Sequence, residues 1–302
     1  MRVTVTGATG YTGRHITTLL LGAGHQVQSI TGHPDRPNPF GAQVPLHSFN
    51  FDNPDQLAAV LAGSDALINT YWVRFPHGGR TYDQAVDNTL TLFDAARRAG
   101  VGRVVHISIA QADRSPLPYF QGKAALEASL RASGLSHAII RPTVIYGGGR
   151  DVLLSNVAWC LRRFPVFVLP PGGCSIQPVH VDDLAELAVA EAANTQNTLV
   201  DAAGHETYRF RDLVTLIRDT LGLRCLVLPA PRPLVYAAGR IIGLFVKDVV
   251  LTRDEIEGLS AGLCVSGDPP VTTTPTKLSE WLTDHKDTLG RVYASELQRH
   301  YR

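Results

Sequence analysis

Lysine is scarce in this 302-residue chain, four residues against twenty-four arginines, so each lysine calls for an explanation of its own. Sulfur is scarce too. The four cysteines, Cys160, Cys174, Cys225 and Cys264, lie far apart with no C-x-x-C pair, which excludes a zinc framework or a disulfide scaffold and reads as buried free thiols. Charge of neither sign is in excess: 28 basic against 27 acidic residues give a net charge of +1, without runs of like charge. A chain so balanced has no long-range field for nucleic acid or an anionic membrane, and neither is expected as a partner. No apolar signal core follows Met1, and Arg240 interrupts the most apolar later stretch, Leu234 to Val246. The expectation is a soluble cytoplasmic protein, monomer or homodimer, acting on a small molecule. The eleven histidines form no H-x-x-x-H or H-E-x-x-H, and no G-x-S-x-G occurs, so no metal site or serine-hydrolase elbow is expected.

What is present is concentrated in Met1 to Ala23. Val3 and Val5 alternate on a strand, glycines follow at 7, 10 and 13, and Ile16, Leu19, Leu20 and Leu21 supply the buried face of a helix. Glycine permits the turn, lets a pyrophosphate approach the main chain, and lets the helix pack on the strand; the helix N-terminus then meets the phosphates with unpaired amides. A second strand, Gln26 to Thr31, completes a βαβ unit. No acid stands at its end, where an acidic residue selects NAD, so Arg36 and Arg14 are the candidate phosphate partners and NADP is favoured over NAD.

Further strands are expected at Ser48 to Phe51, Ala66 to Thr70 and Arg103 to Ser108, with helices at Pro54 to Leu61 and Thr81 to Ala99. Asp52 has two readings, a cap for the helix at Asn53 and Pro54 or, as the family resemblance given below implies, an adenine partner. Thr70 and Tyr71 should border the nicotinamide ribose. Leu135 to Ile140 is a sixth strand, closed by Arg141 and Pro142. This alternation implies an α/β fold, a doubly wound parallel Rossmann sheet, with a smaller, partly interleaved and mainly helical C-terminal substrate domain. Its boundaries are drawn at 1–145 with 179–203 for the dinucleotide domain, and 146–178 with 204–302 for the rest. The latter carries a loop at Tyr146 to Gly149, a proline- and glycine-rich connection at Pro165 to Gly173, and helices at Phe210 to Leu221, Pro231 to Phe245 and Arg253 to Ala261.

The sharpest chemistry is Tyr119-Phe120-Gln121-Gly122-Lys123, a Y-x-x-x-K opening a helix eleven residues after the fifth strand. Tyrosine and lysine four apart share a helical face. A phenol titrates near pKa ~10 and must shift down by roughly three units, about 4 kcal/mol, to work at neutral pH; an adjacent ammonium in a dry cleft supplies that.

The turn Gly7-Ala8-Thr9-Gly10-Tyr11-Thr12-Gly13 resembles the T-G-x-x-G-x-x-G form of the short-chain dehydrogenase/reductase superfamily, in its extended and atypical, NmrA-like or epimerase-like branches. Tyr119 to Tyr146, Asn88 and the segment Ile176 to Asp183 match in order, over residues 1 to about 203. The resemblance implies a cofactor site of Gly7, Thr9, Gly10, Tyr11, Thr12, Gly13, Arg14, Arg36, Asp52, Thr70, Tyr71, Lys123 and Pro142, and a catalytic set of Tyr119, Lys123 and Ser108. It departs at the carbonyl-polarising serine, whose place is Ile109; Ser108 is the substitute. The implied activity is NAD(P)(H)-dependent hydride transfer to or from a small carbonyl or alcohol. A non-catalytic dinucleotide-binding regulator or assembly factor and a nucleotide-sugar epimerase or dehydratase are the alternatives; the latter needs arginines for a second pyrophosphate, with Arg150, Arg162, Arg209 and Arg211 available.

Overall fold

The computed structural model describes residues 1–149, 151–267 and 271–300; Arg150 lies outside them. In chain order the first stretch runs β1 (Arg2–Thr6), α1 (Tyr11–Gly22), β2 (Gln26–Thr31), β3 (Leu46–Ser48), α2 (Pro54–Leu61), β4 (Ala66–Asn69), α3 (Tyr82–Arg98), β5 (Arg103–Ile107), α4 (Pro118–Ala132) and β6 (His137–Pro142). There follow β7 (Val144–Tyr146), α5 (Leu153–Arg163), β8 (Val166–Leu169), β9 (Ser175–Ile176), β10 (Pro178–His180), α6 (Val181–Ala193) and β11 (Thr198–Ala202). The last are β12 (Tyr208–Arg209), α7 (Phe210–Thr220), β13 (Leu226–Pro229), α8 (Arg232–Val246), α9 (Arg253–Ser260), α10 (Leu278–His285) and α11 (Glu296–His300).

Two compact units result, Met1–Pro142 with Asp182–Asp201, and Thr143–Val181 with Ala202–Arg302. The first is built on a seven-stranded sheet in the order β11-β6-β5-β4-β1-β2-β3, in which β1 to β6 pair in parallel. Strand order reverses between β1 and β4, and the carboxyl ends beside that switch point form the crevice where open α/β sheets bind ligands. The central strands are apolar on both faces, as crossover helices on both sides require: Val3, Val5, Leu67, Ile68, Val104 and Val105 are fully buried. The doubly wound α/β fold read from the alternation of elements is the fold observed.

Local differences have local causes. The third strand ends at Ser48 instead of starting there, because Asn50 takes a left-handed conformation and Phe49 stacks on Phe51 at 4.7 Å rather than alternating across a strand. The cap of α2 is Asn53, whose side chain accepts from the Gln56 amide at 3.2 Å, which corrects the capping reading of Asp52. The Asn88 amide donates to the Tyr71 hydroxyl at 2.9 Å, tying α3 to the segment after β4.

The second unit has a separate core, with Tyr146, Leu154, Leu161, Phe210, Leu213, Ile217 and Leu282 among its buried residues. Its strands are short and pair in twos. Part of the expected Pro165 to Gly173 connection is β8, which pairs in parallel with β13 some sixty residues on, and Tyr146 closes β7 rather than opening a loop. All four cysteines are free thiols; Cys160 and Cys225 are buried and Cys174 and Cys264 half-buried, and burial pushes the Cys160 and Cys264 thiols up to about 12. Among the described residues no helix is long and apolar enough to cross a membrane.

Candidate active site

The site residues read from the sequence follow the carboxyl ends of six parallel strands, so the fold brings them to one edge of the sheet: the turn after β1, Arg36 after β2, Asp52 after β3, Thr70 and Tyr71 after β4, Ser108 after β5, and Pro142 ending β6. The turn is the tightest of these places. Gly7 has φ +66° and its amide donates to the Ile30 carbonyl at 2.8 Å, while the Gly10 amide returns to the Gly7 carbonyl at 2.8 Å. A Cβ on Gly13 would stand 2.2 Å from the Gly7 oxygen, and one on Gly10 would stand 3.0 Å from it. Each glycine is therefore where backbone meets backbone. Gly10 caps α1 without a side-chain hydrogen bond, and no acidic residue occupies the first turn, so the helix offsets none of the positive end of its own dipole. Those are the properties a pyrophosphate needs, and the residues present fit a dinucleotide.

Behind the turn, a buried polar chain joins the strands. The Thr6 hydroxyl donates to Asn69 Oδ1 at 3.0 Å and accepts from the Thr70 and Tyr71 amides, and the Asn69 amide donates to His106 Nδ1 at 3.0 Å. Nδ1 therefore carries the lone pair, and burial with the Lys123 charge nearby holds His106 well below the usual imidazole range. The Thr70 hydroxyl donates to the Thr6 carbonyl at 2.5 Å. Tyr71 meets the rings of Phe49 at 4.9 Å and Phe51 at 5.2 Å, an aromatic cluster after β3 and β4. Burial raises the Tyr71 phenol, against the Asn88 hydrogen bond and the Arg80 charge.

Lys123 is 3% exposed. Its Nζ donates to the carbonyl oxygen of Ile107, the last residue of β5, at 2.7 Å and lies 4.5 Å from the centre of the Trp72 indole. Burial lowers it to about 7, with the Glu127 charge opposing. Tyr119, one turn earlier on α4, packs edge-on against Trp72 at 5.7 Å and Tyr82 at 5.8 Å, so one indole links the two members of the pair. Gly122 makes this approach feasible: a Cβ there would stand 2.8 Å from the Trp72 ring.

Ser108 is elsewhere engaged. It is 4% exposed and its hydroxyl donates to Glu127 Oε1 at 2.5 Å. Glu127, itself buried, is clamped by Arg141 at 2.9 and 2.6 Å. Arg36 sits half-buried in its loop with exposed Asp35 beside it, an acid the reading of the second strand's end passed over. Tyr11 lies at the start of α1 with its ring 6.1 Å from His15, which bonds Asp182 at 2.5 Å. Trp72 and Glu127 were missed by sequence reasoning. For Glu127 a signal existed, its i+4 spacing from Lys123 on one helix face; for Trp72 none did, because its partner is fifty-one residues away.

Residues 7–152 match the family model described as NAD(P)H-binding. An uncharacterized protein of Mycobacterium tuberculosis is 29% identical over 197 residues, 65% of this chain and 20% of its own length, so the chain spans about a fifth of that relative. A ceramide reductase of Caulobacter vibrioides is 26% identical over 247 residues, covering 80% of this chain and 77% of its own. Among solved structures, an NADPH-dependent quinone oxidoreductase of Escherichia coli complexed with NADPH superposes with a TM-score of 0.76 at 20% identity, over 95% of this chain and 99% of that one.

Proposed function

We propose that this chain, whose residues 7–152 match the NAD(P)H-binding family model, is an NADPH-dependent reductase of the extended short-chain dehydrogenase/reductase kind, acting on a carbonyl or quinone-like compound. The observation that carries the reading is the pairing of Tyr119 with a buried Lys123 held to the carboxyl end of β5, the same sheet edge as the glycine turn. Gly7, Gly10 and Gly13 let the pyrophosphate reach the α1 amides; Arg14 and Arg36 take the 2′-phosphate, and Thr70, Tyr71 and Pro142 flank the remainder. When bound, the cofactor supplies the hydride.

The chain's own residues supply the rest. Lys123 spends one of three N–H donors on Ile107, and the other two serve the ribose hydroxyls. The Tyr119 phenol gives its proton to the developing alkoxide, the protonated Lys123 stabilises the tyrosinate that this leaves, and the phenol is restored by a proton from solvent. Ser108 has no part in this scheme, because its hydroxyl is given to Glu127. A ceramide reductase and a quinone oxidoreductase among the similar proteins support reduction of a hydrophobic acceptor, and nucleotide-sugar epimerases, which are also among them, make nucleotide-sugar chemistry the second reading. The test is NADPH oxidation with a panel of quinones and long-chain ketones, comparing the protein with Tyr119→Phe: turnover lost with NADPH affinity retained supports the reading, and unchanged turnover removes Tyr119 from it.

A further inference from the structure

Twelve large apolar side chains are exposed among the described residues, and six of them, Leu226, Leu228, Leu234, Ile241, Leu244 and Phe245, fall within twenty residues of one another on β13 and α8. Leu244 and Phe245 are the most exposed of these six, at 77% and 81%. The α8 helix is seated by another row, buried Val235 and Gly239 with half-buried Ile242 and Val246, and a Cβ on Gly243 would stand 2.6 Å from the Asp248 carbonyl, so the helix lies close on the chain that follows it. At about 100° per residue the exposed row Leu234, Ile241, Leu244 and Phe245 is turned roughly 130° from the buried one. The buried face is satisfied and the second apolar face is surplus to folding.

Charge around this face is one-sided. From Arg224 to Lys247 there are four basic residues, Arg224, Arg232, Arg240 and Lys247, and no aspartate or glutamate, in a chain whose net charge is only +1. All four are exposed. Along the helix, Arg240 and Lys247 also line a groove of about 470 Å³ with Tyr236, Leu244, Arg253 and Asp248, the last buried and accepting from the Glu296 and Leu297 amides. We infer that β13 and α8 form a docking surface for an anionic lipid bilayer, with the Leu244–Phe245 edge entering the acyl boundary and the basic residues meeting lipid phosphates. An amphipathic helix with leucine and phenylalanine on one face and arginine or lysine on the next lies in the interface plane. At fifteen residues, interrupted by Arg240, α8 is too short to span. A second copy fits less well, because a two-fold contact would set the four cations against their own equivalents. The expectation of no membrane partner rests on whole-chain charge, which averages this local asymmetry away.

The test is co-sedimentation of the full chain with sucrose-loaded vesicles of phosphatidylcholine, with and without a third of phosphatidylglycerol. The anionic vesicles should take up at least about tenfold more protein at low salt, with the excess lost at high salt. The double substitution Leu244→Ser, Phe245→Ser should cut uptake roughly tenfold, about 1.4 kcal/mol, and Arg240→Glu should cut it at low salt, while melting temperature and NADPH affinity hold. Uptake absent from anionic vesicles, or indifferent to these substitutions, overturns the inference. So does a dimer, seen by light scattering, that the double substitution splits. Neither readout depends on catalysis, so this inference and the reductase reading stand or fall separately.

Discussion

The Lys123 ammonium donates to the carbonyl oxygen of Ile107 over 2.7 Å, fixing α4 to the last residue of β5. With its stem buried and its charge over Trp72, the lysine is lowered from 10.5 to about 7 in the fold. Between those values the unfolded chain binds the extra proton, so stability rises with pH across that window: the cost of burying the charged lysine is full below pH 7 and gone above 10.5. The rise is at most about 1.4 kcal/mol per pH unit. His106, also lowered, acts below its ordinary 6.5, and the cysteine thiols, raised from 9.0, remove stability above that value. The clean interval is therefore pH 7 to 9. Denaturant titrations of the protein and of Lys123→Met should differ in slope there, with the variant flatter.

Gly13→Ala places a methyl group against the Gly7 carbonyl, where 2.2 Å is available. The turn must open, at a cost of about 1–3 kcal/mol in stability. NADPH affinity, followed by nucleotide fluorescence, should fall at least about tenfold because the α1 amides no longer converge.

Asn53→Ala should lower stability by about 1 kcal/mol through loss of the α2 cap, read as a fall in melting temperature. Asp52→Ala, exposed and without that role, should leave the melting temperature unchanged. A loss of cofactor affinity in Asp52→Ala alone would assign Asp52 to the adenine.

Ser108→Ala removes a hydroxyl that is donated to the buried Glu127 carboxylate. Stability should fall by about 1.5–3 kcal/mol, as for a hydrogen bond to a charged group. Turnover of the folded variant should stay within a factor of two, whereas a carbonyl-polarising serine would cost far more.

The dinucleotide unit was legible because its signals are local: a glycine every third residue between an alternating strand and a leucine-rich helix, then strands and helices in alternation to Pro142. Tyr119 and Lys123 were legible for the same reason, being four apart on one helix. Contacts made across the chain were not. The Trp72 indole reaches Lys123 only because β4 lies beside β5, and β8 becomes a strand only because β13 pairs with it. Ser108 was read by its neighbourhood in sequence, and its partner Glu127 came into view only with the packing of α4 on β5 and β6. Asn53 was masked by Asp52, since both residue types cap helices and only the backbone decides which one does.

The most direct measurement is the single-turnover rate of NADPH oxidation at saturating cofactor, comparing the protein with Tyr119→Phe on the best acceptor of a quinone and ketone panel. The account predicts a fall of about a hundredfold or more, the size of a lost general acid, with the NADPH dissociation constant unchanged. Equal rates in the two proteins, or tight NADPH binding with no acceptor that consumes it, would contradict the account and leave a protein that binds the dinucleotide without passing on its hydride.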